Sequence, residues 1–125
     1  MEGYSTAIRE VSKELTARER IKLKDTTNAI KLDEAANGEH PLVITPVAYA
    51  ILDIHNEKSD TIDYANYIIM DDAGDKYVTG SESFWTSFKE IWDEMESENE
   101  PYQIEVYKVD SKNYKGKQFL TCSIV

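Results

Sequence analysis

From Val43 to Glu57 the chain reads VITPVAYAILDIHNE, and its side chains alternate between two faces. Ile44, Ala48, Ala50, Leu52 and Ile54 fall on one, and Thr45, Val47, Tyr49, Ile51, Asp53 and His55 on the other. A period of two predicts a long strand with the first set facing the core. Pro46 cannot donate a ladder hydrogen bond and marks an edge or a bulge near the start. A second strand is predicted over Asn66–Met70 and a third over Lys76–Thr79, joined by the turn Asp72-Ala73-Gly74-Asp75. The period then changes. Phe84, Trp85, Phe88, Ile91, Trp92 and Met95 form one stripe at helical spacing, predicting an amphipathic helix over Ser81–Met95 with a capping-box start at Thr79-Gly80-Ser81-Glu82. Two closing strands follow, Tyr102–Val109 and Gln118–Val125. Their alternation, with that of the first strand, points Tyr49 and Tyr107 away from the core.

The first forty residues read differently. Ile8, Val11 and Leu15 fall at helical spacing and predict a helix over Ser5–Glu14; Thr16-Ala17-Arg18-Glu19 has capping-box form and predicts a second, short one. From Ile21 to Ala36 the pattern is ambiguous, with a strand over Asn28–Leu32 an open reading. Asn37-Gly38-Glu39-His40-Pro41 breaks the chain, because Gly turns it and Pro41 disfavours helix at His40.

Three strands, a helix and a hairpin is the element order of the OB-fold, a five-stranded barrel whose members bind oligonucleotides or oligosaccharides. The expected fold is therefore mainly β, an OB-like barrel with a helix between strands three and four. Its 125 residues suit one domain, with residues 1–40 as a helical or irregular extension packed on it.

Charge complicates a nucleic-acid reading. The net charge is −10, and an acidic protein repels DNA at long range. The acid is concentrated, however: residues 82–100 carry seven acidic side chains and one lysine, whereas from Tyr102 onward four lysines face Glu105 and Asp110. The single cysteine, Cys122, lies in an apolar strand and reads as a buried, inert thiol of a reducing compartment. No apolar leader follows Met1, and no stretch approaches the roughly 20 apolar residues that span a bilayer, so a cytoplasmic location without a membrane partner is expected.

Few catalytic or metal-binding patterns compete. His40 and His55 have no partner at ligand spacing, and Asp71-Asp72-Ala73-Gly74-Asp75 reads as a hairpin turn rather than a calcium loop. Phosphate-loop and hydrolase motifs are missing. The chain is expected to be no enzyme and to need no cofactor.

Eight tyrosines in 125 residues is a surplus. Rings on a sheet stack on bases without sequence readout, although tyrosine also suits half-buried strands for packing alone. Tyr49, Tyr67, Tyr77, Tyr107 and Tyr114 are the candidate platforms. Lys108, Lys112, Lys115 and Lys117 are the candidate phosphate contacts. The densest local feature is Lys112-Asn113-Tyr114-Lys115-Gly116-Lys117, which in OB order is the loop between strands four and five, beside the ligand groove.

The stretches VAYAILDIHNE (Val47–Glu57), DDAGDKYVTGSESFWTSFKEIW (Asp71–Trp92) and SKNYKGKQFLTCSIV (Ser111–Val125) resemble the small single-stranded DNA-binding proteins of tailed phages and prophages of Gram-positive bacteria. The resemblance covers Leu42–Val125. It implies an OB-fold that coats single strands during phage DNA replication or recombination, with other proteins of those processes as further partners. It leaves room for a homo-oligomer. Two rival readings stand beside it: an acidic DNA mimic that inhibits a host nuclease, supported by the charge of residues 82–100, and a protein-interaction module.

Overall fold

A computed structural model describes residues 3–25, 27–36, 41–110 and 116–125. The predicted long strand is two strands that serve different sheets. β3 (Leu42–Ile44) and β4 (Pro46–Asn56) meet at Thr45, where the ladder register shifts between Pro46 and Ala48. Pro46, which lacks an N–H, thus sits at the expected irregularity. β4 pairs with β5 (Asp63–Asp71), and β5 with β6 (Lys76–Thr79), as an antiparallel meander. The turn between β5 and β6 is closed by Asp71, whose Oδ1 accepts from the N–H groups of Ala73 (3.1 Å) and Asp75 (2.8 Å), while Gly74 takes φ +88°. The carboxylate of the supposed calcium loop is engaged by its own turn.

The opening segment is a strand, not a helix. β1 (Tyr4–Val11) pairs antiparallel with β4 from Tyr4 opposite Asn56 to Val11 opposite Ala50. The register shifts between Ile8 and Glu10, so one extra residue separates the two inward side chains Ile8 and Val11. A β-bulge thereby reproduces the i, i+3 spacing of a helix. After it comes the predicted short helix, α1 (Ala17–Lys24), with both halves of its capping box made: Thr16 Oγ1 accepts from the Glu19 N–H (3.2 Å), and Glu19 Oε1 from the Thr16 N–H (3.0 Å). The ambiguous segment contains a two-residue strand, β2 (Ile30–Lys31), running parallel to β6, and one turn of helix, α2 (Leu32–Ala35). The expected break over residues 37–41 lies, apart from Pro41, outside the described residues.

The first sheet has the order β1-β4-β5-β6-β2, and β7 (Ile104–Asp110) and β8 (Gln118–Ile124) join β3 in a second, β3-β7-β8. The helix α3 (Glu82–Glu96) forms where its apolar stripe predicts it, with Ser81 as N-cap accepting from the Phe84 N–H (3.2 Å). Its Phe84 and Phe88 are fully buried among Ile44, Tyr49, Ile69, Tyr77, Ile104, Val106 and Leu120, so both sheets contribute to one core. Each such ring adds about 1.5–3 kcal/mol by leaving water. The opposite face of the large sheet carries a smaller core of Ala50, Leu52, Ile54 and Ile68 beneath Leu23, the one buried side chain of α1. Both faces of β4 are therefore covered, and the main core lies on the face that the alternation had assigned to solvent.

The expected barrel does not close. α3 lies along β8, with Ser83 Oγ donating to the Leu120 carbonyl (2.8 Å) and Ser87 Oγ bonded to Thr121 Oγ1 (3.0 Å). The free side of β6 is taken by β2. With both edges occupied, β6 and β8 share no ladder among the described residues, and the fold is two mainly antiparallel sheets with a helix between them.

Candidate nucleic-acid interface

Three of the five candidate tyrosines are core residues. Tyr49 is 6% exposed, its ring edge-on to Trp85 and Trp92 with centroids 5.1 Å away in each case. Its hydroxyl donates to Glu10 Oε2 (2.8 Å), and the Lys89 ammonium lies 5.5 Å from its ring centre. Tyr67 stacks flat on Trp85 at 4.8 Å. Tyr77 is 7% exposed, and burial pushes its phenol up to about 12. The ring faces of all three are spent on α3 and the core, so they give no platform for a base. The cause is α3: alternation tells which side chains share a face, but not which face a helix later covers.

Tyr107 is placed as predicted. In β7, Ile104 and Val106 point into the core, which sends Glu105, Tyr107 and Val109 to the outer face; the Tyr107 hydroxyl bonds Ser123 Oγ across the ladder (2.6 Å). Lys108, by contrast, turns inward, and its Nζ donates to the Asp33 carbonyl (2.7 Å). It ties β7 to the α2 segment and is withdrawn from the phosphate contacts. Lys117 is exposed at the foot of β8. Lys112, Tyr114 and Lys115 lie outside the described residues.

The sequence reading missed Phe119. Leu120 and Cys122 of β8 face the core, so Phe119 stands on the outer face, 43% exposed, opposite Val109 and diagonal to Tyr107. Diagonal neighbours on a sheet are roughly 7–8 Å apart, a separation that adjacent bases of an extended strand can span. Val43 of β3, half exposed opposite Glu105, extends the same face. The signal was available in the alternation Phe119, Thr121, Ser123 against Leu120, Cys122, Ile124. Cys122 is buried as expected, its thiol pushed up to about 12 by desolvation.

A depression of about 470 Å³ opens on the α3 side of the large sheet, beyond the part that the helix covers. Ala7 and Ala65 line it with Tyr67, and its rim holds an Arg9–Asp53 ion pair, Glu82, and His55 bonded through Nδ1 to Asp63 Oδ1 (2.7 Å). The Asp63 contact, with Glu57 3.7 Å away, holds the imidazole above its ordinary pKa. Carboxylates already engage both cations there, which makes it a poor phosphate site. Among the described residues no group of three acidic, histidine or cysteine side chains is placed to hold a metal ion. Among the described residues no helix is long and apolar enough to cross a membrane.

Comparison with known proteins adds no identity: no family model matches the chain, and no curated protein or solved structure matches it either.

Proposed function

We propose that this chain is a non-enzymatic, sequence-tolerant binder of single-stranded DNA, and that the strand is held on the outer face of β7–β8. The observation that carries this reading is the diagonal placement of Tyr107 and Phe119 on one solvent face of β7–β8, two strands joined in sequence by a segment that includes Lys112-Asn113-Tyr114-Lys115-Gly116-Lys117. Bases stack on the rings, and lysines near the tip meet phosphates. Tyr49, Tyr67, Tyr77 and Lys108 leave the proposed site, and Phe119 enters it. With few lysines beside that face the counterion contribution is small, so affinity rests mainly on stacking.

The finer fold assignment belongs to the same proposal. The strands from β3 onward follow OB order, β3 pairs with β7 so that the last hairpin returns to the start of the first strand, and OB barrels are themselves partly open. The resemblance to phage single-stranded DNA-binding proteins supports a role in phage DNA replication or recombination.

The test is fluorescence anisotropy of a labelled oligo-dT titrated with the full chain, against a duplex of equal length. The reading expects saturable binding to the single strand in preference to the duplex, with a shallow dependence on salt. Absence of binding to oligo-dT at low salt defeats it.

A further inference from the structure

Two surface patches on this chain are complementary to each other and cannot meet within one molecule. The first is the outer side of α1. Ile21 is 69% exposed, more than any other isoleucine or leucine among the described residues; Arg18 and Lys24 flank it one turn away on either side, Lys22 is its chain neighbour, and Asp25 caps the helix beyond it. With Lys13 and Arg20, this segment holds five basic side chains against Glu14 and Glu19. Glu19 is turned back onto the Thr16 N–H by the capping box. None of the five cations lies in an ion pair among the described residues. In a protein of charge −10, an exposed isoleucine ringed by cations is out of keeping with the rest of the surface.

The second patch is a groove of about 420 Å³ between the second half of α3 and the end of β8. Ile91, Met95 and Ile124 give it an apolar floor, and Glu90 and Glu94 form its rim. Ile124 is 47% exposed, and both glutamates are exposed. It has the reverse design of the first patch: a hollow instead of a knob, and carboxylates instead of ammonium and guanidinium groups.

α1 packs through Leu23 on the Ala50, Leu52 and Ile68 face of the large sheet, whereas α3 packs on the Tyr49, Ile69 and Tyr77 face. The sheet stands between them. We infer that α1 of one copy docks into the α3–β8 groove of the next, with Ile21 seated against Ile91, Met95 and Ile124, and the basic rim of α1 against Glu90 and Glu94. Because the two patches differ and lie on opposite sides of a sheet, the contact is heterologous. It leaves a free patch at each end, so copies add head to tail into a chain or a ring of several copies rather than stopping at a dimer. This inference stands on the two patches alone and does not depend on DNA binding.

Sedimentation velocity without DNA tests it, in about 0.1 M salt, where the screening length of about 10 Å damps the repulsion between whole molecules but leaves contact pairs intact. The weight-average sedimentation coefficient is expected to rise with protein concentration and to fall back in about 1 M salt. Arg18→Glu with Lys22→Glu makes both patches acidic, and Glu90→Lys with Glu94→Lys makes both basic; each variant alone is expected to stay monomeric. An equimolar mixture of the two restores association, since each now offers what the other lacks. Ile21→Glu abolishes association in the parent, and circular dichroism checks that it melts as the parent does, as an exposed side chain should. A parent that stays monomeric at every concentration overturns the inference, as does growth that stops at a dimer. So does a mixture that remains monomeric while both variants are folded.

Discussion

The aromatic side chains of this protein fall into two sets that share residue types and strand positions and differ in what covers them. Tyr49, Tyr67 and Tyr77 lie under α3, packed with Trp85, Phe88 and Trp92. Tyr107 and Phe119 lie on the outer face of the second sheet, where no described element rests on them. Tyrosine on a strand is compatible with either fate, since its ring packs and its hydroxyl tolerates water or a partner. The helix decides. Its stripe of six apolar residues needs a surface to bury and finds it on the face of Tyr49, Ile69 and Tyr77. One set thus supports the fold and the other is left available for a ligand.

The largest effect expected from breaking this division is on the covered side. Phe88 is fully buried between both sheets. Phe88→Ala should cost about 3–5 kcal/mol of unfolding free energy, because the ring leaves a cavity that neighbouring aromatics fill only in part. Chemical denaturation with both fluorescence and circular dichroism reads it. A variant that keeps the parental midpoint would mean that α3 does not form the bridge between the sheets.

On the uncovered side the effect moves from stability to binding. Phe119→Ala and Tyr107→Ala should each weaken oligo-dT binding by about 1–3 kcal/mol while leaving the slope against salt nearly unchanged, since stacking releases no counterions. Anisotropy titrations at several salt concentrations separate this from a lysine contact, whose removal lowers the slope. If both variants bind as the parent does, the outer face of β7–β8 is not the platform.

How much of this division was legible in the sequence can be traced to particular residues. α3 was legible because six large apolar side chains repeat at one helical spacing, and the Asp72–Asp75 turn because aspartate and glycine supply the bonds and the positive φ that it needs. β1 was not. Its bulge between Ile8 and Glu10 placed Ile8 and Val11 three apart, and a period argument has no means of telling a bulged strand from a helix. The inward turn of Lys108 and the burial of Tyr49 were equally hidden, because both depend on partners distant in sequence, Asp33 and α3. Phe119 was legible: the alternation in β8 sets its ring on the face opposite Leu120 and Cys122, although its residue type alone gives no binding signal.

A smaller effect checks the polar end of the covered set. The Tyr49 hydroxyl donates to Glu10 across the β1–β4 ladder, beside the bulge. Tyr49→Phe keeps the ring under α3 and removes only that bond, so stability should fall by about 0.5–1.5 kcal/mol with no change in oligo-dT binding. A ring that faced solvent would lose nothing on this change. Thermal melts of the two proteins side by side are enough to tell.

The smallest effect lies at the open end of the same sheet face, where ion pairs take the place of aromatic packing. His55 is held above its ordinary pKa by its hydrogen bond to Asp63 and by nearby Glu57, and all three side chains are solvent-exposed. A histidine whose folded pKa exceeds its unfolded value binds its proton more tightly in the native state. The stabilisation is therefore full below the unfolded pKa of about 6.5 and is lost as pH rises through the raised folded value. The melting temperature of the parent should exceed that of His55→Ala at about pH 5.5, and the difference should shrink by about pH 8.5. Added salt should shrink it as well, because exposed pairs are screened. Phe88→Ala, buried among uncharged rings, should show the same deficit at both pH values. The pH scan therefore divides the covered and open ends of this sheet face, and a His55→Ala deficit that did not vary with pH would place His55 in packing rather than in an ion pair.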